Sequence, residues 1–344
     1  MAADRTLGGR NAGDPILEVR GLVKHFHIGG GFPFGRQAAV IRAVDDVSFD
    51  LRRGETLGLV GESGCGKSTV ARTLLRLEEP TAGQALFHGR DIFTAGEREL
   101  KEIRRRIQVI FQDPYASLNP RLRVEQIVSE PWVIHPDVLP RRDWPDRVRE
   151  LLESVGLRRE HAERYPHEFS GGQRQRIGIA RAMALNPEIL VCDEPVSALD
   201  VSVQAQVVNL LEEIQQRFGI AYIFIAHDLS VVRHMSHRVA VMYLGRIVEL
   251  GAKEQVYARP RHPYTKALLS AQPAIDFSGE RKNQRIILKG EVPSPANPPS
   301  GCRFRSRCWK AQATCAGTPP PLAEGPDSGH RAACYFPEGA AARV

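Results

Sequence analysis

The eight residues at positions 61–68 constrain the fold of this chain more than any other stretch. They read Gly-Glu-Ser-Gly-Cys-Gly-Lys-Ser, follow the apolar run 56–60 and precede a segment with helical patterning. A strand, a glycine-rich turn and a helix start in that order predict a phosphate-binding loop, because glycines let consecutive backbone N–H groups converge on an anion at the helix N-terminus. In such a loop Lys67 reaches the β- and γ-phosphates of a nucleotide, and the Ser68 hydroxyl holds Mg²⁺.

The composition is that of an ordinary globular protein. The chain has 344 residues, of which 42% are hydrophobic and 25% are charged. No apolar run approaches the ~20 residues of a membrane-spanning helix, and residues 1–11 lack the hydrophobic segment of a signal peptide. We therefore expect a cytosolic protein that is able to dock on a membrane. Because the basic residues are spread among acidic ones, we expect no nucleic-acid partner despite the net charge of +7.

Two segments near the N-terminus, 16–26 and 40–51, alternate apolar with polar residues. This alternation predicts an antiparallel β subdomain ahead of the nucleotide-binding strand. Phe26 closes the first segment, where its ring either stacks on an adenine or packs in the core. Residues 1–14 are polar and glycine-rich, which predicts a disordered leader.

Three further apolar strands end in polar side chains. Gln112 follows the first, Asp193 and Glu194 follow the second, and His227 follows the third. Ligands of α/β sheets bind at the carboxyl ends of the strands, so these side chains are candidate site residues. Asp193 can bind Mg²⁺, and Glu194 can polarise a water in line with the γ-phosphate. Gln112 can ligate Mg²⁺, orient the water or simply cap its strand, and His227 can hydrogen-bond to the γ-phosphate or hold the water.

The segment 114–169 breaks the α/β pattern. It contains several prolines and an amphipathic stretch at 147–155, which predicts an inserted, mainly helical subdomain. The subdomain ends where Ser170, Gly171 and Gly172 open a second helical pattern. Serine is a good N-cap and glycines expose N–H groups, so this helix start is a second anion-binding device.

Four cysteines crowd a C-terminal segment rich in proline and glycine, which buries little and needs something else to order it. In a reducing cytosol such a cluster favours a metal over disulfides, and four thiolates suit tetrahedral Zn²⁺ or an iron–sulfur cluster. Unligated or disulfide-bonded thiols are the other interpretations. Three arginines lie near enough in sequence to offset thiolate charge: Arg303, Arg305 and Arg307.

The motifs taken together resemble the ATP-binding subunits of ABC transporters over about residues 15–252. In order they are GESGCGKS, Gln112, FSGGQ, ILVCDEP, SALD and His227, with Phe169 as the one departure from the usual leucine. The resemblance implies an α/β, ABC-type nucleotide-binding fold and a competent ATPase with Glu194, His227 and Gln112 in catalysis. It also implies a head-to-tail dimer that encloses ATP between two chains. One chain would close over the nucleotide with Ser170, Gly171, Gly172 and Gln173, and the other would hold it with Gly61, Glu62, Ser63, Gly64, Cys65, Gly66, Lys67, Ser68 and Thr69.

Residues 261–269, Arg-His-Pro-Tyr-Thr-Lys-Ala-Leu-Leu, resemble the C-terminal extension of oligopeptide/dipeptide importer ATPases, and Ser-Leu-Asn-Pro at 117–120 resembles the F-type subunit. The resemblance implies a peripheral protein at the cytoplasmic face of the membrane that powers peptide import. The implied partners are a paralogous or identical ATPase, two permeases that dock around 115–133, and indirectly an extracytoplasmic substrate-binding protein. It further implies a 4Fe-4S cluster, with Zn²⁺ as the alternative, on Cys302, Cys308, Cys315 and Cys334.

Other functions stay open at this point: the same motor with nickel, glutathione or an antimicrobial peptide as cargo, a non-transport ABC ATPase, or a regulatory module that senses ATP or iron. The predicted organisation has three parts. These are a leader at 1–14, an ATPase domain at 15–255 with its helical subdomain at about 114–169, and a cysteine-containing extension at 256–344.

Overall fold

The computed structural model describes residues 14–28, 39–271 and 285–339. The predicted leader lies outside the described residues except for its last position, Asp14. Within the described ranges the strands are, in chain order, β1 (Leu17–Ile28), β2 (Ala39–Leu51), β3 (Thr56–Val60), β4 (Ala82–Phe87), β5 (Arg90–Asp91), β6 (Ile107–Ile110), β7 (Ile189–Asp193), β8 (Ala221–Ile225), β9 (Arg238–Tyr243), β10 (Arg246–Ala252), β11 (Ala323–Glu324) and β12 (Arg331–Ala332).

The α-helices of the same ranges alternate with these strands and also fill the interval between β6 and β7. They are α1 (Lys67–Leu74), α2 (Glu97–Arg106), α3 (Val124–Ile134), α4 (Trp144–Ser154), α5 (Gly171–Met183), α6 (Val201–Phe218), α7 (Leu229–Met235), α8 (Lys253–Ala258) and α9 (Pro263–Ser270). None of them combines the length and apolarity that crossing a bilayer requires.

The larger sheet has the strand order β11-β12-β10-β9-β3-β8-β7-β6. Strands β6, β7, β8, β3 and β9 are mutually parallel. Every residue of β3, β7 and β8 is buried, as expected for central parallel strands covered on both faces. Because these strands run in one direction, the residues that follow β3, β6, β7 and β8 meet at one edge of the sheet.

The smaller sheet confirms the predicted antiparallel subdomain. Its order is β2-β1-β4-β5, and β1 pairs with β2 from Leu17↔Leu51 to Ile28↔Ala39. Apolar residues of both strands bury one face of this sheet against α1 and β3. The sheet therefore lies over the strand that leads into the phosphate-binding loop.

Helices occur both between the strands of the parallel sheet and in the segment that was predicted to be mainly helical. The charged helix α2 covers 97–106, and α6 covers 201–218 before Gly219 takes the left-handed conformation that commonly ends helices. Between β6 and α5 the chain is mainly helical, with α3, α4 and short 3₁₀ turns. Trp132 anchors this region, since it is 1% exposed and its indole donates to the Ala184 carbonyl at 2.9 Å. The boundaries of the helical subdomain stay a prediction.

The C-terminal segment joins the nucleotide-binding sheet, which sequence patterning did not predict. Strand β12 pairs antiparallel with β10, and β11 pairs with β12. Glu249 lies in β10 at this strand pairing, and its carboxylate is fully buried. The carboxylate accepts a hydrogen bond from the His330 ring at 2.7 Å. It also accepts from the backbone N–H groups of Arg261 and His262 at 2.7 and 2.8 Å. A buried carboxylate needs such partners, so these bonds tie the segment to the sheet.

The prediction of an iron–sulfur or zinc site at Cys302, Cys308, Cys315 and Cys334 is wrong. The four are free thiols that line one small cavity, and in the described part of the chain no group of three or more Cys, His, Asp or Glu residues is placed to hold a metal ion. Burial raises the pKa of Cys334 to about 11 and raises the pKa of Cys302 and Cys308. These three partly buried thiols are therefore neutral and act as small apolar groups in the packing.

The imidazole that caps α9 makes folding dependent on pH. His262 Nδ1 accepts a hydrogen bond from the Tyr264 backbone N–H at 3.1 Å. Burial lowers the pKa of this imidazole from 6.5 to about 4, although Glu249 favours the charged form. The unfolded chain therefore binds a proton that the folded chain excludes, and the stability from this group is lost as the pH falls from about 6.5 toward about 4.

We predict that His262→Asn flattens this dependence, because asparagine retains a cap acceptor but does not titrate. Between about pH 7 and about pH 4.5 the wild-type chain should lose on the order of 2 kcal/mol more unfolding free energy than the variant. Urea denaturation of both proteins at the two pH values measures this difference. Equal losses of unfolding free energy in the two proteins would contradict the assignment of this pH dependence to His262.

Candidate functional site

The phosphate-binding loop connects β3 to α1 and is held in close contact with neighbouring backbone. Gly66 precedes the helix with φ +109°, and a Cβ atom there would lie 2.1 Å from the Ala43 carbonyl oxygen. A Cβ atom on Gly61 would lie 2.3 Å from the Met242 carbonyl oxygen. Both positions require glycine because the obstructing atoms are backbone.

Lys67 extends across the loop. Its side chain is buried, and Nζ donates hydrogen bonds to the carbonyls of Gly61 at 2.8 Å and Glu62 at 3.2 Å. Together with the N-terminus of α1, the ammonium gives the loop a positive potential. The residues present therefore fit a nucleotide phosphate.

Ser68 and Asp193 meet at the edge of the sheet. The Ser68 hydroxyl donates to Asp193 Oδ1 at 2.8 Å, although the two residues lie 125 positions apart. Burial raises the pKa of Asp193, while the bond from Ser68 lowers it. A hydroxyl and a carboxylate oxygen beside a phosphate loop are the hard ligands that Mg²⁺ prefers, so this pair fits that ion.

The predicted catalytic side chains are brought together at the same edge. Gln112 Nε2 donates to Glu194 Oε2 at 2.9 Å, and His227 Nδ1 lies 3.6 Å from the same oxygen. The Glu194 backbone adopts φ +48°, a sparsely populated conformation for a residue other than glycine. Strain of this kind is concentrated at functional sites, and here it occurs at the residue predicted to polarise water.

The second predicted helix start is formed as the sequence indicated. Ser170 Oγ accepts from the Gln173 backbone N–H at 3.4 Å, and Gln173 Oε1 accepts from the Ser170 backbone N–H at 3.1 Å. This reciprocal capping box orders an exposed helix N-terminus. Among the described residues no hydrogen bond joins Ser170 to the phosphate-binding loop.

Phe26 is half-buried near the end of β1, and its ring centroid lies 4.6 Å from Lys24 Nζ. Its role in stacking on an adenine stays a prediction.

Two residues of the loop's surroundings were missed by the sequence reasoning. The Tyr264 hydroxyl accepts a hydrogen bond from the Glu62 backbone N–H at 2.9 Å. Arg307 Nη1 lies 3.2 and 3.0 Å from the two carboxylate oxygens of Glu62. Sequence patterning associated Arg307 with the cysteines because it lies beside Cys308, and no local signal indicates a partner 245 positions away.

Comparisons with known families agree with this geometry. Residues 44–197 match the family model described as ABC transporter, and residues 248–315 match the model described as oligopeptide/dipeptide transporter, C-terminal region. These two families are the ones that the sequence motifs resemble.

Curated relatives are similar over nearly the whole chain. The oligopeptide transport ATP-binding protein AppF of Bacillus subtilis (strain 168) is 55% identical, with 94% of this chain and 98% of AppF covered. The probable peptide ABC transporter ATP-binding protein y4tS of Sinorhizobium fredii is 54% identical, with 96% of this chain and 92% of y4tS covered.

Solved structures share the fold of the nucleotide-binding part. The ATP-binding cassette MJ0796, in a dimeric post-hydrolysis state bound to ADP and Pi, superposes with a TM-score of 0.61 at 27% identity, covering 69% of this chain and 98% of that one. CbiO1 from Clostridium perfringens, part of the ABC transporter complex cbiONQ, gives a TM-score of 0.60 at 29% identity, covering 72% and 92%. With the loop, the sheet edge and the capped helix start in place, these similarities show that the chain belongs to the ATP-binding subunits of ABC transporters, in the oligopeptide/dipeptide transporter family.

Proposed function

We propose that this chain is the ATP-hydrolysing subunit of an ABC importer of oligopeptides or dipeptides. The observation that carries the proposal is the assembly of Gln112, Glu194 and His227 beside the Ser68–Asp193 pair at one edge of the sheet. The peptide cargo is supported by the 55% identity to an oligopeptide transport ATP-binding protein, since the cargo itself is bound by other subunits.

ATP binds with its phosphates on residues 61–69, where the loop N–H groups and the Lys67 ammonium neutralise the negative charge. Ser68, Asp193 and Gln112 would hold Mg²⁺, which when bound supplies further charge neutralisation at the phosphates. Phe26 would stack on the adenine ring from the antiparallel sheet.

Glu194 acts as the base for the attacking water. It accepts a proton as the water oxygen bonds to the γ-phosphorus, the bond to the β-phosphate oxygen breaks, and ADP and phosphate leave. Gln112 holds the Glu194 carboxylate through the 2.9 Å hydrogen bond, and His227 lies on the other side of the same oxygen. Gln112 and His227 thus position the Glu194 carboxylate before the water arrives.

A second cassette, paralogous or identical, completes the site. The capping box at Ser170 preorganises an exposed helix N-terminus, and in the described part of the chain Ser170 makes no hydrogen bond to the loop of its own chain. Ser170, Gly171, Gly172 and Gln173 would donate to the γ-phosphate held by the partner, so that ATP joins the two subunits. Closure of this dimer is the step that drives the transporter.

Two permeases would dock on a groove between α2, β6, α3 and α5. The groove is lined by apolar side chains, among them Leu100, Phe111 and Ile134, and by charged ones, among them Arg104 and Arg181. Phe111 is 41% and Ile134 is 56% exposed, and Val133, which precedes Ile134 in the chain, is 62% exposed. Such a patch is typical of a protein interface. Docking there would hold the subunit peripherally at the cytoplasmic face of the membrane, and the substrate-binding protein would be reached only through the permeases.

We predict that Glu194→Gln binds ATP but releases phosphate at least about 100-fold more slowly, because the amide cannot accept the proton. The variant should accumulate as an ATP-bound dimer on size-exclusion chromatography. Lys67→Ala is the control and should neither bind ATP tightly nor dimerise. Phosphate release at the wild-type rate from Glu194→Gln would remove Glu194 from its role.

We predict that Ile134→Asp abolishes co-purification with the permeases and peptide uptake, while the ATPase rate of the free chain stays within about twofold. The physical reason is that a carboxylate would be desolvated in the apolar interface. Phe218→Asp, at an exposed position on the end of α6, is the matched control and should leave both readouts unchanged. Peptide uptake by the Ile134→Asp transporter at the wild-type rate would contradict the docking surface.

A further inference from the structure

The C-terminal part of the chain holds the phosphate-binding loop at Glu62, the second residue of the loop. The Glu62 backbone N–H donates to the Tyr264 hydroxyl at 2.9 Å, and the Glu62 carboxylate accepts from Arg307 at 3.2 and 3.0 Å. Both contacts bridge long sequence separations, 202 and 245 positions. The outer turn of the loop is therefore fixed from outside the ATPase core.

Glu62 also contacts Lys67, the residue predicted to bind the phosphates. Its carbonyl oxygen accepts a hydrogen bond from Lys67 Nζ at 3.2 Å. A displacement of Glu62 consequently moves an acceptor of the ammonium that reaches the nucleotide. The path from the extension to the phosphate site has two links, Arg307 or Tyr264 to Glu62 and Glu62 to Lys67.

The two holding side chains are themselves immobilised by packing. Tyr264 is fully buried, and its ring centroid lies 4.7 Å from that of Tyr243 and 5.5 Å from that of Phe304. The Arg307 side chain is 10% exposed, and its guanidinium also donates to the Tyr243 hydroxyl at 3.4 Å. Because Tyr243 ends β9, which pairs with β3, the ion pair is anchored to the sheet that carries the loop. A partly buried ion pair is screened little by salt.

A second contact from the same segment reaches the loop by another route. Arg303 donates to the Leu244 carbonyl and to the carboxylate of Asp45 in β2. Gly245, which follows Leu244 in the chain, donates its backbone N–H to the Cys65 carbonyl of the loop at 2.8 Å. The extension thus supports the loop at both its outer turn and its base.

We infer that Arg307 and Tyr264 are positioning residues that preorganise the phosphate-binding loop for ATP through Glu62. The inference deepens the ATPase role and rests on the proposed function. A loop that is held before the ligand arrives loses less conformational entropy on binding, so these residues raise ATP affinity without touching ATP. Arg307 and Tyr264 therefore affect the binding of ATP and not the chemical step, in which Glu194 activates the water.

The test measures the full-length chain with a fluorescent ATP analogue and with steady-state ATP hydrolysis. In Arg307→Gln and in Tyr264→Phe we expect the Kd and the KM for ATP to rise about tenfold, with kcat within about twofold. Arg307→Lys should recover part of the affinity, because it retains the positive charge but places it on a shorter side chain that does not reproduce the hydrogen bonds of the guanidinium. Arg305→Gln is the matched control, since Arg305 donates to the Ser300 carbonyl at 2.8 Å and, among the described residues, contacts none of the phosphate-binding loop.

A double-mutant cycle separates positioning of the loop from simple attachment of the extension. Glu62→Gln combined with Arg307→Gln should weaken ATP binding no more than either single change, because both remove the same ion pair. Additive losses, or Kd values in Arg307→Gln and Tyr264→Phe that match Arg305→Gln, would overturn the inference. If thermal denaturation shows that Arg307→Gln is not folded, the Kd values of Arg307→Lys and Tyr264→Phe decide whether the extension positions the loop.

Failure of the proposed function is recognised separately. A wild-type chain that binds the analogue without turning over ATP would remove the ATPase role. The Kd values of the variants would still decide whether Glu62 is held from the extension: a tenfold rise supports the inference, and an unchanged Kd overturns it.

Discussion

The close approach of backbone to backbone around the phosphate-binding loop is the constraint on which the rest of the structure depends. Gly66 lies against the Ala43 carbonyl in β2, and Gly61 lies against the Met242 carbonyl in β9. The loop is therefore enclosed by the antiparallel sheet on one side and by the parallel sheet on the other. An anion-binding turn needs this rigidity, because N–H groups attract a phosphate strongly only when their directions are fixed before binding.

The direction of the parallel strands explains how a site is assembled from distant residues. Gln112 and Glu194 are 82 positions apart, yet the ends of β6 and β7 place their side chains in hydrogen-bond contact. The left-handed backbone at Glu194 is tolerated because its N–H bonds to the Ile225 carbonyl at the end of β8. Neighbouring strands thus support a conformation that is unfavourable by itself.

The C-terminal segment shows how a chain rich in proline and glycine is ordered without a metal. Strand addition to β10, the fully buried Glu249 carboxylate with its three donors, and the arginine contacts to Asp45 and Glu62 supply the directional bonds. The four cysteines of this segment are free thiols that line one small cavity. Composition correctly indicated that a small core was insufficient, but it could not distinguish thiolate ligation from polar attachment to a neighbouring sheet.

The sequence by itself determined what depends on neighbours along the chain. Alternating apolar and polar residues predicted the antiparallel sheet, and glycine spacing predicted the phosphate-binding loop. Polar residues after apolar strands indicated Gln112, Asp193, Glu194 and His227. Only the tertiary structure decided the contacts of Tyr264 and Arg307 with Glu62, the pairing of β12 with β10, and the state of the cysteines. The contacts of Glu62 and the pairing of β12 with β10 join residues more than 80 positions apart, and three-dimensional packing selects such partners without leaving a period or spacing in the sequence.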